Sequence, residues 1–454
     1  MESATVQSAS VVLIAGAVMA GALQAQNLES VAAYFDDQAS GSSTIDGRNF
    51  AWATAVSPDG ENVYACSGVN NIASGDEDDN AIAVFSRHVD GSLEFVQVLF
   101  DDDDTNDPGT ADGLLSCRSV AVSPDGLHVY TAGSSDDAIG IFARAPGTGA
   151  LNFLASVVDG QGGVDGLDGV ESLAMTSDGS ALFAVGRAED ALAAFSRNSA
   201  TGALSFEDVE KNGLGGLTGL DRPLSVAVSP DDLHVYVASG SNANFGGSDA
   251  LTVFEWDSAQ TGLLFVDSYG EGDVQGQNTV DGLDQVSAVA VTPDGQHVYA
   301  ASEVDTIGGP SGNGNDWIAV FDRNPATGEL TWLQRIGGFR ICPTSFFGAD
   351  AESFLAVSGD GQRVFVTKNW EDNGVAMFAR DSASGALTFL DGECEFDPGP
   401  IGMNLPRAMA LDPGGVHLYV AGNTSDALAV LSTEAIFTDG FESGDASAWS
   451  ATTL

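Results

Sequence analysis

The chain is 454 residues long, more than one ordinary globular core spans, so it needs several domains or a repeat architecture. Hydrophobic residues at 43% exclude wholesale disorder. With 15 Lys+Arg against 65 Asp+Glu, the net charge of −50 repels nucleic acid and anionic lipid headgroups, so neither is expected as a partner. No charged block is long enough to carry that excess alone, so the acid is spread over the surface, as suits a chain kept soluble in salty or extracellular water.

In chain order, the first feature is VVLIAGAVMAGAL from Val11 to Leu23, too short to span a bilayer but the size of a signal-peptide core. Small-residue cleavage sites follow at Ala20-Gly21-Ala22 or Leu23-Gln24-Ala25. The preceding MESATVQSAS departs from the pattern, since it holds Glu2 and no Lys or Arg. A misassigned start codon or a buried apolar segment is the alternative. Residues 1–25 are read as a signal peptide, which makes the chain secreted, periplasmic or cell-surface. No later stretch is apolar enough to span a membrane.

A repeat organises the rest. AVSPDGENVYACSG at Ala55 recurs as AVSPDGLHVYTAGS at Ala121, AMTSDGSALFAVGR at Ala174 and AVSPDDLHVYVASG at Ala227. It continues as AVTPDGQHVYAASE at Ala290, AVSGDGQRVFVTKN at Ala356 and ALDPGGVHLYVAGN at Ala410, which makes seven copies. Each unit reads as four short strands: SVAVS, a Pro-Asp-Gly hairpin turn, HVYVAS, a DALAVFxR strand, and a TGAL turn into a fourth strand such as LNFLASV. Helical periodicity of useful length is absent outside the signal segment. Seven four-stranded units of roughly 50–65 residues predict an all-β, seven-bladed propeller over 28–433. The seventh unit lacks its fourth strand after Asp426, and LESVAAYFDDQASGSSTIDG from Leu28 matches the fourth-strand pattern. An N-terminal strand is therefore expected to complete blade seven and close the ring.

The SPDG…VY, DAIAVFxR and TGxLxF segments, with the GLD loops at Gly166 to Asp168 and Gly282 to Asp284, resemble the lactonase-like seven-bladed propeller family. That group includes bacterial 6-phosphogluconolactonase and carboxymuconate-cyclase relatives. The resemblance runs from Leu28 to about Thr433 and implies a lactone hydrolase or a non-catalytic relative on the same scaffold.

The four cysteines are even in number, without a CxxC pair or a nearby histidine to suggest zinc. Of the three pairings, the repeat register favours Cys66–Cys117 and Cys342–Cys394; four unpaired buried thiols are the alternative.

Residues repeated in every blade most simply serve the blade. His128, His234, His297 and His417 share one hairpin position, and His88 ends a third strand, so none is expected to be catalytic. Arg87, Arg144, Arg197, Arg323 and Arg380 repeat the F-x-R ending, and Asp137, Asp190, Asp249 and Asp426 are turn or cap residues. Aligning the blades instead places Trp52, Arg118, Glu171, Leu224, Ser287, Ser353 and Arg407 at one level near a channel mouth, with Glu352 one residue away. Arg48, Arg118, Arg187, Arg222, Arg340 and Arg407 all map to that face. This predicts an anion-binding mouth in which Trp52, Arg118, Arg222, Arg340 and Arg407 hold a ligand and Glu171 or Glu352 serves as a base at a lactone carbonyl. The competing reading is that the arginines neutralise Asp112, Asp165, Asp168, Asp281 and Asp284 in the same loops.

No cofactor is required by this chemistry, but calcium is a candidate. DDDDTNDPGTADG from Asp101 offers Asp102, Asp104 and Asn106 at alternate positions, and SGDEDDN from Ser74 is a second acidic loop. Residues 434–454 form a tail, read either as a sorting element or as a segment packed on the rim through Phe437, Phe441 and Trp449. The expected role is an exported ligand-binding or scaffold module taking a small molecule, glycan or protein at the mouth; the alternative is a lactone hydrolase using the same residues. A closed ring needs no partner, so a monomer is expected.

Overall fold

The computed structural model describes residues 28–35, 39–40, 43–44, 51–68, 80–101, 111–240, 247–257, 259, 262–302, 317–337, 353–368, 373–394 and 402–433, and among them there is no helix. The expected signal peptide and tail lie outside the described residues, as do Asp102, Asp104, Asn106 and the Ser74 loop. Seven antiparallel four-stranded sheets account for the seven repeats. Blade 1 runs from Ala51–Val56 at the channel through Asn62–Ser67 and Ala81–Arg87 to Leu93–Phe100 at the rim. The inner strands of blades 2 to 7 are Cys117–Val122, Val170–Met175, Pro223–Val228, Val286–Val291, Leu355–Val357 and Pro406–Leu411. Each contacts the next around the ring, and the last contacts the first.

Closure follows the expected route. Glu29–Phe35 pairs antiparallel with Ala427–Ser432, from Glu29 opposite Ser432 to Phe35 opposite Ala427, and so becomes the outer strand of blade 7. It also stitches the neighbouring blades. The Leu28 N–H donates to Asp391 Oδ2 of blade 6 at 3.0 Å, and Tyr34 Oη accepts the Leu93 N–H of blade 1 at 2.7 Å.

The Pro-Asp-Gly hairpin needs a left-handed residue, and Gly60 supplies it at φ 71°. Blade 4 has Asp232 there, at φ 61°. Its carboxylate accepts the N–H groups of Ser177 and Asp178 in blade 3, at 2.5 and 3.2 Å, which offsets the backbone strain with contacts a glycine lacks.

The repeated arginines clamp each blade to the one before. Arg197 Nε donates to Tyr130 Oη at 2.8 Å, Nη1 to the Gly179 carbonyl, and Nη2 to both Asp125 carboxylate oxygens and His128 Nδ1. Arg144 and Arg323 repeat the geometry onto Tyr64 and Tyr236, and Arg380 reaches Asp294 and His297. Arg87 closes the circle from blade 1 to Tyr419 and Asp412 of blade 7. The junction of blades 3 and 4 is built differently: Phe183 stands in place of the tyrosine and Trp256 in place of the arginine, and their rings meet edge-on at 5.1 Å. Between blades 6 and 7, Arg363 donates from the opposite side of the joint to Thr433.

The histidines of the clamp are buried, which resolves their role as structural rather than solvent-facing. Burial first, and the adjacent guanidinium second, hold His128, His234 and His297 below their ordinary value of 6.5. A neutral imidazole leaves Nδ1 able to accept from the arginine. Because the folded state binds fewer protons than the unfolded chain, this stability is full above pH 6.5 and falls as pH drops below it. Blade 1 already carries Asn62 at the same position, where its Oδ1 accepts from Arg144 at 2.7 Å. The triple variant His128→Asn/His234→Asn/His297→Asn should therefore show a flatter loss of stability between pH 7 and pH 5 in denaturant titrations. A slope equal to that of the parent would disprove the assignment.

Candidate functional site at the channel mouth

The second residue of the inner strand is a bulge in six blades. In blade 1 the register passes from Ala51 opposite Ser67 to Ala53 opposite Cys66, leaving Trp52 unpaired; Arg118, Glu171, Leu224, Ser287 and Arg407 are skipped in the same way. A bulge re-aims the side chain it carries and is recurrent beside functional sites. These six are the positions that the repeat alignment placed at one level. The seventh, Ser353, joins them through Ser287, whose Oγ donates to the Ser353 carbonyl at 2.9 Å and accepts the Ser353 N–H at 3.0 Å.

Below this level the wall is stitched by the next residue. Ser119, Ser172 and Ser225 each accept the N–H of the following inner strand, from Leu173, Val226 and Val289, at 3.2 to 3.3 Å. From above, the cap residues hold the turn that enters each strand. Asp137, Asp190 and Asp249, all at positive φ, accept from the N–H groups of Gly169, Arg222 and Gln285 in the next blade. The bulged side chains thus sit on a backbone fixed from both sides.

Four of them form one charged quadrant over blades 7, 1, 2 and 3. The Arg118 guanidinium lies 3.6 Å from the Trp52 ring centroid, and that of Arg407, from the other neighbouring blade, lies 4.4 Å from it. Arg118 Nε is 4.0 Å from Glu171 Oε2, and Arg187 Nη1 donates to Glu171 Oε1 at 2.9 Å. The Arg118 side chain is only 5% exposed, while that of Arg187 is 33% exposed. Three arginines therefore converge on one glutamate and one indole, in a chain of net charge −50. The opposite side of the ring, Leu224, Ser287 and Ser353, is uncharged.

Arg222, Arg340, Glu352 and Arg48 complete the residues expected on this face. The Arg222 backbone N–H is committed to the cap on Asp190 at 2.9 Å, and its residue sits at φ 58°, one position before its strand. Arg340, Glu352 and Arg48 lie outside the described residues. The loop acids find cations of their own on the outer strands: Asp165 pairs with Lys211 at 2.8 Å and Asp281 with Arg335 at 2.6 Å. The clamp histidines are at the far ends of the strands, away from the mouth.

Cys66 and Cys117 are joined as expected, and Cys394 is also disulfide-bonded, while Cys342 lies outside the described residues. Two carboxylate groups each join two acids from one connecting segment to a third from another loop. Asp101, Asp112 and Asp136 bring oxygens within 4.8 Å of one another, as do Asp159, Asp165 and Glu189. In the second group Lys211 supplies a counter-charge to Asp165 and Glu189. In the first, burial and then the charges of Asp101 and Asp112 push Asp136 up to about 8. Hard oxygen donors at this spacing suit a divalent cation, and equally a shared proton.

A closed ring of seven four-stranded blades, with one charged quadrant at the channel mouth, defines a seven-bladed β-propeller. The chain belongs to the lactonase family of such propellers: the family described as "Lactonase, 7-bladed beta-propeller" matches residues 24–167, 266–397 and 339–436. It is 34% identical over 106 residues to the 6-phosphogluconolactonase of Bacillus subtilis strain 168, a match that spans 23% of this chain and only 25% of that protein. Among solved structures, the periplasmic gluconolactonase of Pseudomonas aeruginosa superposes with a TM-score of 0.57 at 19% identity, covering 82% of this chain and 91% of that one. A putative 6-phosphogluconolactonase from Bacteroides uniformis gives 0.55 at 16% identity, covering 81% and 89%. Likeness at these identities is likeness of fold. No helix among the described residues is long and apolar enough to cross a membrane.

Proposed function

We propose that this propeller is exported and recognises a small organic anion at its channel mouth, through Arg118, Arg407, Arg187 and Trp52. The observation that carries the reading is the convergence of three guanidinium groups on one indole and one glutamate. A half-buried arginine cluster is suited to a carboxylate, since guanidinium donors match carboxylate oxygens two at a time. Glu171 is committed to Arg118 and Arg187, so its part in this reading is to orient them. Export is supported by the apolar segment Val11 to Leu23, by the disulfide, and by likeness to a periplasmic gluconolactonase.

Family membership favours a second reading, hydrolysis of a lactone to its hydroxy acid at the same mouth. There the arginines would stabilise the oxyanion that forms when water adds to the ring carbonyl. The net charge of −50 repels a phosphate dianion more than a neutral lactone, which favours an unphosphorylated lactone over a phosphorylated one.

A pH-stat screen of the mature chain against unphosphorylated and phosphorylated lactones, with calorimetric titration of the matching acids, tests both readings. Arg118→Ala/Arg407→Ala is expected to weaken binding of the acid, or kcat/KM on the lactone, by about a hundredfold, as expected for losing two charge-assisted contacts of about 1.5 kcal/mol each. Turnover would establish the hydrolase, and binding without turnover the recognition module. Ligand binding that survives the double substitution would remove the mouth from consideration.

A further inference from the structure

The Cys66–Cys117 disulfide crosses the junction of blades 1 and 2. Its two ends lie one step from each member of the Trp52–Arg118 stack. Cys66 is opposite Ala53, the residue after Trp52, and Cys117 immediately precedes Arg118. Both cysteines are fully buried. The same junction is tightened twice more. Asn80 Oδ1 accepts the Ser116 N–H at 3.0 Å, and at Gly68 a β-carbon would lie 2.5 Å from Ser116 Cα, so the end of one strand is pressed directly on the start of the next.

Four of the other six junctions use small or apolar side chains at these two positions: Ala132 with Val170, Val185 with Pro223, Ala238 with Val286, and Ala421 with Ala51. Apolar packing is therefore enough to hold two blades together. The junction between blades 1 and 2 is the one that also has to hold an indole against a guanidinium at 3.6 Å, with that guanidinium extended on towards Glu171 of blade 3. The Arg407 contact to the same ring is longer, at 4.4 Å, and spans a junction closed by two alanines.

We propose that the Cys66–Cys117 disulfide is a positioning element of the mouth: it sets the spacing of blades 1 and 2 at which Arg118 stacks on Trp52. This deepens the reading of the mouth as the ligand site and rests on it for its ligand arm. The bond acts through Arg118 and touches no ligand itself.

The test replaces the pair with Cys66→Ala/Cys117→Val, which reproduces the packing of the next junction, and alternatively with Cys66→Ala/Cys117→Ala. Fluorine NMR of the fluorotryptophan-labelled full chain reads the stack without any ligand, the Trp52 signal being assigned by its loss in Trp52→Phe. The Trp52 signal is expected to move in the cysteine variant and in Arg118→Ala in the same direction. Gluconate binding, or KM for gluconolactone, is expected to weaken about three- to tenfold, the range of one stacked cation. Adding Arg118→Ala to the cysteine variant should cost no ligand binding beyond that lost in Arg118→Ala alone. An unmoved Trp52 signal overturns the inference even if the melting temperature falls, because the bond is then only structural. Full additivity with Arg118→Ala overturns it as well. If both cysteine variants fail to fold, the bond is a requirement of the ring and the inference also fails. If Arg118→Ala leaves binding of both probes unchanged, the ligand reading fails, and the fluorine signal still decides the positioning role.

Discussion

A chain beginning after Phe35 is expected to lose at least about 5 kcal/mol of stability, enough to unfold an ordinary domain or drive strand exchange between copies. The strand Glu29–Phe35 supplies the outer edge of blade 7, and its removal exposes the backbone groups of Ala427–Ser432. Each net hydrogen bond contributes about 1 kcal/mol. Leu28, 3% exposed among Phe365, Met377, Met403 and Leu418, adds roughly 2 kcal/mol of apolar burial. The contacts to Asp391 and Leu93 disappear with it, so blades 6, 7 and 1 lose a common tie. Circular dichroism melts of the shortened and full chains measure the loss, and a synthetic peptide of the missing strand should restore part of it. Identical melting of the two chains would show that the ring is held closed without this strand.

The second large effect concerns the clamps. Arg197→Ala is expected to cost about 2–4 kcal/mol, because the buried Tyr130 hydroxyl and His128 lose their donor and the partly exposed Asp125 carboxylate loses its counter-charge. In the intact clamp, burial raises the Asp125 pKa, but the hydrogen bonds from Ser123 and Arg197 outweigh it and hold the carboxyl below its usual value. Once the arginine is gone, the penalty of burial is opposed only by the contacts from Ser123 and the Leu127 N–H. The junction of blades 3 and 4 already shows an apolar solution, with Phe183 edge-on to Trp256. Transplanting it as His128→Ala/Tyr130→Phe/Arg197→Trp should recover most of the loss, since the buried members are replaced together and Asp125 keeps its contacts from Ser123 and Leu127, as Asp178 keeps that from Ser180 in the native apolar joint. The free energy of the first transition in urea tests both arms. A cost under about 1 kcal/mol for Arg197→Ala would mean that the clamp is worth no more than an exposed ion pair.

Repetition is what made the ring legible in advance. A motif present seven times has one structural answer, so the Pro-Asp-Gly hairpin, the cap aspartates and the closing strand at Leu28 could all be placed from spacing. The same logic found the mouth by subtraction. Residues that differ between copies at one aligned position, Trp52, Arg118, Glu171 and Arg407, do meet over one quadrant, and the register favoured the Cys66–Cys117 pair that joins.

What the alignment did not carry is whatever depends on the angle between blades. The bulge that turns Trp52 and Arg118 toward each other is a register property of paired strands, visible only once the partner strand is in place. Arg222 and Arg187 look alike in sequence, as two arginines on the same face. The backbone of the first is held in a cap on Asp190, and the side chain of the second reaches Glu171, and neither partner is adjacent in the sequence. The exchange of an Arg–Tyr clamp for a Phe–Trp pair, and the gathering of Asp101, Asp112 and Asp136, likewise need two blades side by side. Local pattern determines a blade because its hydrogen bonds and turns are made between residues close in the chain. The site and its charge balance are made between blades, and only the closed ring sets those distances.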